Sequence, residues 1–369
     1  MKKIFIVAGD SSGDRYAGRL MAEIKSRKPG IQFLGIGGEE MLKAGLKSIV
    51  PLEKISVVGF WEVAKRFNFF RNLIEQCKKI LLDENIDLFI PVDYPGFNIR
   101  LAGYAKKINI PVFYYIAPQL WAWGKNRAEK LAKVTDKLFV VFPFEVDFFK
   151  SKGINADFVG HPLLDSPEFN SNFLKYSERK NIIAFLPGSR NQEIKRHFPL
   201  LSKTADLLMQ KLPDYEIGIG KSALIDNSVY ENLISGNINW KLWDDSRELM
   251  NNSKAGIVKT GTSTLEAALC GMPFSMIYKT SFITYTLGKN IVNLPYLSLV
   301  NILSNKKVVN EFIQSDATPE KVSEDILHIL NNIEQYESMQ EDFLKIRSYL
   351  GVQGASKKIA DMIIKEAFL

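Results

Sequence analysis

Short apolar runs alternate with helix-period stretches through the first half of the chain. Ile4–Ala8 is apolar throughout, which predicts a buried first strand and is too short for a signal peptide. After Gly9-Asp10-Ser11-Ser12-Gly13-Asp14 an amphipathic pattern runs to about Lys28, where Pro29-Gly30 breaks it. Gln32–Ile36, Leu88–Val92, Val112–Tyr115, Leu138–Phe142 and Asp157–Val159 read as further strands separated by helical stretches. Asp165–Lys180 is rich in Ser, Asn, Pro and Glu and reads as a linker. The alternation then restarts with a strand at Ile182–Leu186, a turn at Gly188-Ser189-Arg190 and a helix over Asn191–Leu212. Glu216–Gly220, Ala255–Lys259 and Phe274–Tyr278 are strands, and Thr318–Leu369 is mostly helical. Strands alternating with helices predict parallel sheets with crossover helices, here two doubly wound α/β domains facing each other across a cleft, over residues 1–170 and 171–340. In such sheets ligands sit at the carboxyl ends of strands, so the loops after strands are the places to look for chemistry.

Length and composition support this reading. At about 150 residues per domain, 369 residues make roughly two domains. Hydrophobic residues are 46% and charged residues 24%, which excludes a wholly disordered, collagenous or coiled-coil chain. The net charge of +7 is spread along the sequence and suits a phosphate-bearing substrate or an anionic membrane surface. No run approaches the ~20 apolar residues that span a bilayer. Two cysteines, Cys77 and Cys270, rule out a disulfide framework and fit buried small hydrophobes in a reducing, cytoplasmic compartment. No His, Cys and Asp cluster has metal-ligand spacing. No basic stripe or known module points to nucleic acid.

Several strand-terminal loops carry chemistry. Gly9–Asp14 opens a helix with small residues and lets a ligand approach the backbone, without a dinucleotide or P-loop fingerprint; a helix cap at Ser12 or Asp14 explains the same turn. Asp93 lies just past a strand, ahead of Tyr94-Pro95-Gly96, where a carboxylate can act as a base toward a hydroxyl or simply cap the turn. Trp121 and Trp123 in Pro118–Gly124 can form a platform for a sugar ring or acyl chain, or fill a core. His161 in Gly160-His161-Pro162 can donate to a phosphate or hydroxyl, or serve as a structural hinge. Gly188-Ser189-Arg190 with Glu193 adds an arginine suited to a diphosphate. Lys259–Glu266 offers hydroxyl and N–H groups to phosphate oxygens, and Glu266 can accept ribose hydroxyls. Ser298–Asn301 and Asn310–Gln314 embed polar groups in apolar surroundings.

Val57–Arg71 differs in kind. Phe60, Trp61, Phe67, Phe69 and Phe70 crowd a short stretch flanked by Lys54, Lys65, Arg66 and Arg71. Phe60, Val63, Phe67, Phe70 and Ile74 share one helical face, with Trp61 and Phe69 off it. So wide an apolar arc beside basic residues suits a membrane patch or an acyl-chain site, or a helix packed on both sides.

In order and spacing these stretches resemble the lipid-A-disaccharide synthases, inverting glycosyltransferases of lipopolysaccharide assembly, from about Ile4 to Gln314. The matching pieces are Gly9–Asp14, Asp93–Asn98, Pro118–Trp123, Pro143-Phe144-Glu145, Gly160-His161-Pro162, Leu186–Arg190 with Glu193, Gly261–Glu266, Ser298–Asn301 and Glu311–Gln314. The resemblance implies a GT-B fold of two Rossmann-like domains, the first for the acceptor and the second for the donor, with a C-terminal helix over 341–369 returning to the first. It implies condensation of UDP-2,3-diacylglucosamine with 2,3-diacylglucosamine 1-phosphate to a β-1,6-linked disaccharide 1-phosphate and UDP. No metal or cofactor and no nucleic acid is implied. The implied location is peripheral, on the cytoplasmic face of the inner membrane, and a homodimer stays open.

Residue by residue, the resemblance makes Asp93 the base on the acceptor 6-hydroxyl and puts Arg190 at the donor diphosphate. Asn301 and Gln314 match family positions lining the donor site, and Glu266 matches the family's glutamate after the Gly-Thr turn. Ser12, Asn98, Trp121, His161, Gly188, Ser189, Glu193, Gly261, Thr262 and Glu311 are further substrate-binding candidates within the matched stretches. Asp10 stands where the family usually has Glu, as a second candidate acid or base; Thr260 replaces a usual Ser and Val300 a usual Pro. Another GT-B enzyme, a UDP-N-acetylglucosamine 2-epimerase or a transferase to a soluble acceptor, would share the donor half, but gives no reason for the Phe60–Phe70 segment. A non-catalytic nucleotide-sugar-binding module would leave Asp93 unexplained.

Overall fold

The computed structural model describes residues 2–55, 67–122, 128–222, 225–234, 238–281, 285–286 and 294–368. The chain forms two compact units. The first takes the described residues up to Asp165 and from Leu350 onward, and the second those from Ser166 to Tyr349.

The first unit is a seven-stranded parallel sheet of β1 (Lys3–Ala8), β2 (Gln32–Gly37), β3 (Leu46–Pro51), β4 (Leu88–Val92), β5 (Phe113–Tyr115), β6 (Lys137–Val140) and β7 (Ala156–Phe158). Its spatial order is β3-β2-β1-β4-β5-β6-β7. The central strands are apolar on both faces because helices cover both faces; Ile4–Ala8 and Leu88–Ile90 are all 0% exposed. Phe5, Val7 and Phe89 pack with Leu73, Cys77 and Leu81 of the helix Phe67–Asp83 and with Leu101 and Ala102 of the helix Pro95–Lys107. The last helix, Ala355–Ala367, belongs to this unit: Asp165 accepts from the N–H groups of Gly354, Ala355 and Ser356 at its start (2.7, 2.9 and 2.9 Å), and Asp361 pairs with Arg27 at 2.6 Å.

The second unit is a six-stranded parallel sheet of β8 (Lys180–Leu186), β9 (Glu216–Gly220), β10 (Trp240–Trp243), β11 (Ser253–Lys259), β12 (Phe274–Tyr278) and β13 (Glu311–Ile313), ordered β10-β9-β8-β11-β12-β13. Each sheet therefore reverses its winding once, between β1 and β4 and between β8 and β11. A reversal opens a crevice at the carboxyl ends of its two strands, where ligands bind. Register brings the candidate loops to those two places. Ala8 pairs with Val92, so Gly9-Asp10 and Asp93 leave the first sheet side by side. Val258 pairs with Leu186, so Lys259-Thr260-Gly261 and Pro187-Gly188 leave the second sheet the same way.

Three features depart from the sequence-based expectation. β3, β10 and β13 were not foreseen; β3 and β10 each hold a single buried residue, β13 none, and all three lie at sheet edges. Asp165–Lys180 is more than a linker: Phe169 is 0% exposed, and Arg179 is buried beneath six carbonyls. The helix Ile333–Tyr349 belongs whole to the second unit, so the division falls after Tyr349 and not at 340.

Candidate active site

Asp93 and Tyr94 both adopt left-handed backbone (φ 45° and 49°), rare for side chains larger than Asn or Asp. The turn is held from several sides. The Asp93 N–H donates to the Tyr115 carbonyl at 3.0 Å, and the Asp93 carbonyl accepts from Asn98 Nδ2 at 2.8 Å and Tyr114 Oη at 2.6 Å. The Tyr94 ring lies against Gly9, where a Cβ would fall 2.2 Å from a ring carbon, so only glycine fits there. Strained backbone fixed by so many contacts marks a position whose side-chain direction matters.

That side chain is a half-buried carboxylate. Loss of solvent pushes Asp93 up to about 7; the neighbouring Asp10 carboxylate adds to the rise, the Tyr94 N–H opposes it, and Glu145 adds further. Asp10 caps the helix Ser11–Arg27 by accepting from the Gly13 N–H at 2.8 Å, which holds its charge on the same edge. Ser12 is half-buried in the first turn of that helix. Asp14 is spent on structure, accepting from the N–H groups of Gly38, Met41 and Glu40 at 2.7, 3.1 and 3.1 Å.

The neighbouring strands continue the edge. Trp121 follows β5, Glu145 follows β6 and His161 follows β7. With strands ~4.8 Å apart, Asp10, Asp93, Trp121, Glu145 and His161 follow the five adjacent strands β1, β4, β5, β6 and β7 along roughly 20 Å at their carboxyl ends. Trp121 is half-buried and donates from Nε1 to Glu145 Oε1 at 2.9 Å. His161 is 5% exposed, and burial lowers its pKa to about 3, with Asp165 opposing. Its Nδ1 accepts from the Leu163 N–H at 3.2 Å, so the neutral ring carries its proton on Nε2. Its remaining nitrogen, Nε2, can thus only donate.

In the second unit Gly188 (φ 126°) turns the chain out of β8. A Cβ there would meet Glu193 Oε2 at 2.6 Å, so the glycine lets this carboxylate close on the loop. Glu193 accepts from the Ser189 N–H at 3.1 Å, from Arg190 Nη1 at 3.3 Å and from Lys259 Nζ at 2.9 Å. Burial alone would raise Glu193; Lys259 first, then Arg190 and the Ser189 N–H, outweigh it and hold the carboxyl below the ordinary range. One carboxylate thereby orients two cations. The Arg190 Nε is buried and has no partner among the described residues. Gly261 (φ 134°) and Thr262 open the helix Thr262–Leu269, and no side chain caps its first turn. His197 ties the crevice together, with Nδ1 at 2.8 Å from the Pro187 carbonyl after β8 and Nε2 accepting from the Lys279 N–H after β12. Two cations beside an uncapped helix start are chemically suited to an anion such as a diphosphate.

Other expected ligand contacts are committed elsewhere. Asn98 is 0% exposed and its amide nitrogen serves the carbonyls of Asp93, Val92 and Val7, so it positions the Asp93 turn. Asn301 is also 0% exposed: Oδ1 accepts from Val308 and Val309, and Nδ2 donates to the Val309 carbonyl and to Glu311. Glu311 accepts as well from the N–H groups of Leu297 and Ser298, and Gln314 pairs with both backbone groups of Thr280. These three shape loops. Glu266 is 8% exposed and faces Arg247 at 3.8 Å, which also pairs with Glu168. The aromatic patch divides: of its described residues Phe69 and Phe70 pack on the first core and Phe67 is well exposed (57%), while Phe60 and Trp61 lie outside the described residues, as does Trp123 of the Pro118–Gly124 loop. Local sequence pattern gives no individual role to Lys259 or Glu145. Lys259 ends a strand before Thr-Gly-Thr, which was its one available signal; Glu145 stood only in a matched motif.

Among the described residues no group of three or more His, Cys, Asp or Glu side chains is placed to hold a metal ion, and no helix is long and apolar enough to cross a membrane.

Two doubly wound parallel sheets with chemistry at both switch points define the GT-B class of nucleotide-sugar enzymes. The fold matches a UDP-GlcNAc 2-epimerase from Neisseria meningitidis bound to UDP-GlcNAc (TM-score 0.59, 15% identity, 99% of this chain and 100% of that one) and a calicheamicin glycosyltransferase (TM-score 0.62, 12% identity, 100% of both). A family model for lipid-A-disaccharide synthetase matches residues 4–364. Lipid-A-disaccharide synthases from Trichlorobacter lovleyi and Persephonella marina are each 36% identical over 98% of this chain and 97% and 98% of their own length. The chain belongs to the lipid-A-disaccharide synthase family and is a glycosyltransferase of lipid A biosynthesis.

Proposed function

We propose that the protein joins UDP-2,3-diacylglucosamine to 2,3-diacylglucosamine 1-phosphate, forming the β-1,6-linked disaccharide 1-phosphate and UDP. The observation that carries this reading is Asp93, a rigidly held carboxylate pushed up to about 7 at the switch point of the first unit. A base is most effective when its pKa lies near the working pH. The acceptor 6-hydroxyl passes its proton to Asp93 as its oxygen attacks the anomeric carbon of the donor. The electron pair of the broken C–O bond leaves with the diphosphate of UDP. Arg190, Lys259 and the first-turn N–H groups of Thr262–Leu269 neutralise that charge as it develops. The Nε2–H of His161 donates to an acceptor oxygen.

Both substrates carry acyl chains, so the protein works at a lipid surface. Exposed Phe67, with exposed Arg71 one turn on, supports peripheral docking on the cytoplasmic face of the inner membrane. Product analysis with both substrates in detergent micelles or anionic vesicles tests the whole reading. A tetraacyl disaccharide 1-phosphate with stoichiometric UDP, and protein sedimenting with the vesicles, is expected. UDP-sugar binding without disaccharide, or epimerisation of UDP-N-acetylglucosamine, would overturn it.

A further inference from the structure

Glu145 is 0% exposed at the start of the helix Phe144–Lys150, and its carboxylate partners among the described residues, Trp121, Val141 and Phe142, are all donors. Oε1 accepts the Trp121 indole N–H at 2.9 Å, and Oε2 accepts the N–H groups of Val141 and Phe142 at 3.2 and 3.1 Å. A carboxylate meets donors at both ends. A glutamine of the same size has one accepting atom, so it satisfies either the indole or the backbone pair, not both. Burial works against the charge and pushes Glu145 up to about 7, with the Trp121 hydrogen bond foremost among those opposing it. Backbone capping alone would not need the indole.

The indole is fixed on its other sides as well. Trp121 stands edge-on to Phe144 (centroids 5.0 Å, 83°), Phe142 stacks on Phe144 (5.8 Å, 6°), and Phe142 lies 5.5 Å from His161. This cluster sits on the loops after β5, β6 and β7, and β5 is the neighbour of β4, whose end carries Asp93.

We propose that Glu145 is a positioning residue for the acceptor: its carboxylate fixes the indole plane of Trp121, so that the ring forms a preorganised platform for the acceptor hexose next to Asp93. Preorganisation tightens binding because less motion is lost when the ligand arrives. The inference rests on the reading in the preceding subsection.

The test compares wild type, Glu145→Gln, Trp121→Phe and the double variant, with acceptor and donor KM and kcat measured separately. Each single variant is expected to raise the acceptor KM by about tenfold, with donor KM and kcat nearly unchanged. The double variant is expected to be no worse than Glu145→Gln, because both substitutions break one linkage. Unchanged acceptor KM in Glu145→Gln, or additive effects in the double variant, would reduce Glu145 to a helix cap and overturn the proposal. If Glu145→Gln loses its cooperative melt, Trp121→Phe decides alone. It removes the same hydrogen bond but leaves Val141 and Phe142 partnered, and an unchanged acceptor KM there overturns the proposal. A wild type that makes no disaccharide would instead defeat the functional reading.

Discussion

Asp93→Asn is expected to lower kcat by roughly a hundred- to ten-thousandfold, the range general bases contribute, with donor affinity unchanged. The amide keeps the volume of the side chain, and the Asp93 carbonyl can still accept from Asn98 and Tyr114. What is lost is the one group on this edge that is both near neutral pKa and set at the switch point. Stability should move the other way. Asp93 titrates near 4 when unfolded and at about 7 when folded, so the native state binds more protons between those values. This group's contribution to stability therefore falls as pH rises through that window and is at its least favourable above 7. Asparagine removes that cost. At pH 8 the variant should melt at or above the wild-type temperature while turning over far more slowly. A variant that is slow only because it has unfolded would contradict this.

Arg179→Met is expected to cost the second unit more than about 4 kcal/mol, enough to prevent stable folding in many domains. Arg179 is 4% exposed. Its Nη1 donates to the carbonyls of Met250, Asn251 and Ser253 at 2.9, 3.1 and 2.9 Å. Its Nη2 donates to those of Cys270 and Gly271 at 2.8 and 2.9 Å, and its Nε to that of Leu174 at 3.3 Å. One side chain thus joins the approach to β8, the turn before β11 and the end of the helix Thr262–Leu269. Methionine is similar in length and donates nothing, so these carbonyls lose a buried partner at about 1–3 kcal/mol for each left unsatisfied. Lysine should not rescue, because an ammonium has three donors and no planar fork. Urea unfolding measures the effect; a loss below about 1 kcal/mol would show that water replaces the guanidinium freely.

The central strands were legible because burial on both faces writes a continuous apolar run, as in Ile4–Ala8 and Ile182–Leu186. Edge strands write no such run. In β3 only Leu46 is buried, while Lys47 and Ser48 face solvent. Asp93 and Arg190 could be picked out because each follows a strand within a turn of small residues or proline. Glu145 and Lys259 depend on partners 24 and 66 positions away, which local pattern does not encode. Asn301 and Glu311 show the converse. An amide and a carboxylate in apolar surroundings look alike whether they face a ligand or, as here, complete the hydrogen bonds of their own loop.

The central claim is that Asp93, raised by burial and by the charge of Asp10, is the base. The dependence of kcat/KM on pH tests it most directly. In the wild type the rate should rise with pH through an acid limb near 7, as Asp93 loses its proton. Among the groups raising Asp93, Asp10 comes first and Glu145 after it, so Asp10→Asn should move that limb to lower pH. A wild-type limb near 4, or one that stays in place in Asp10→Asn, would contradict the account.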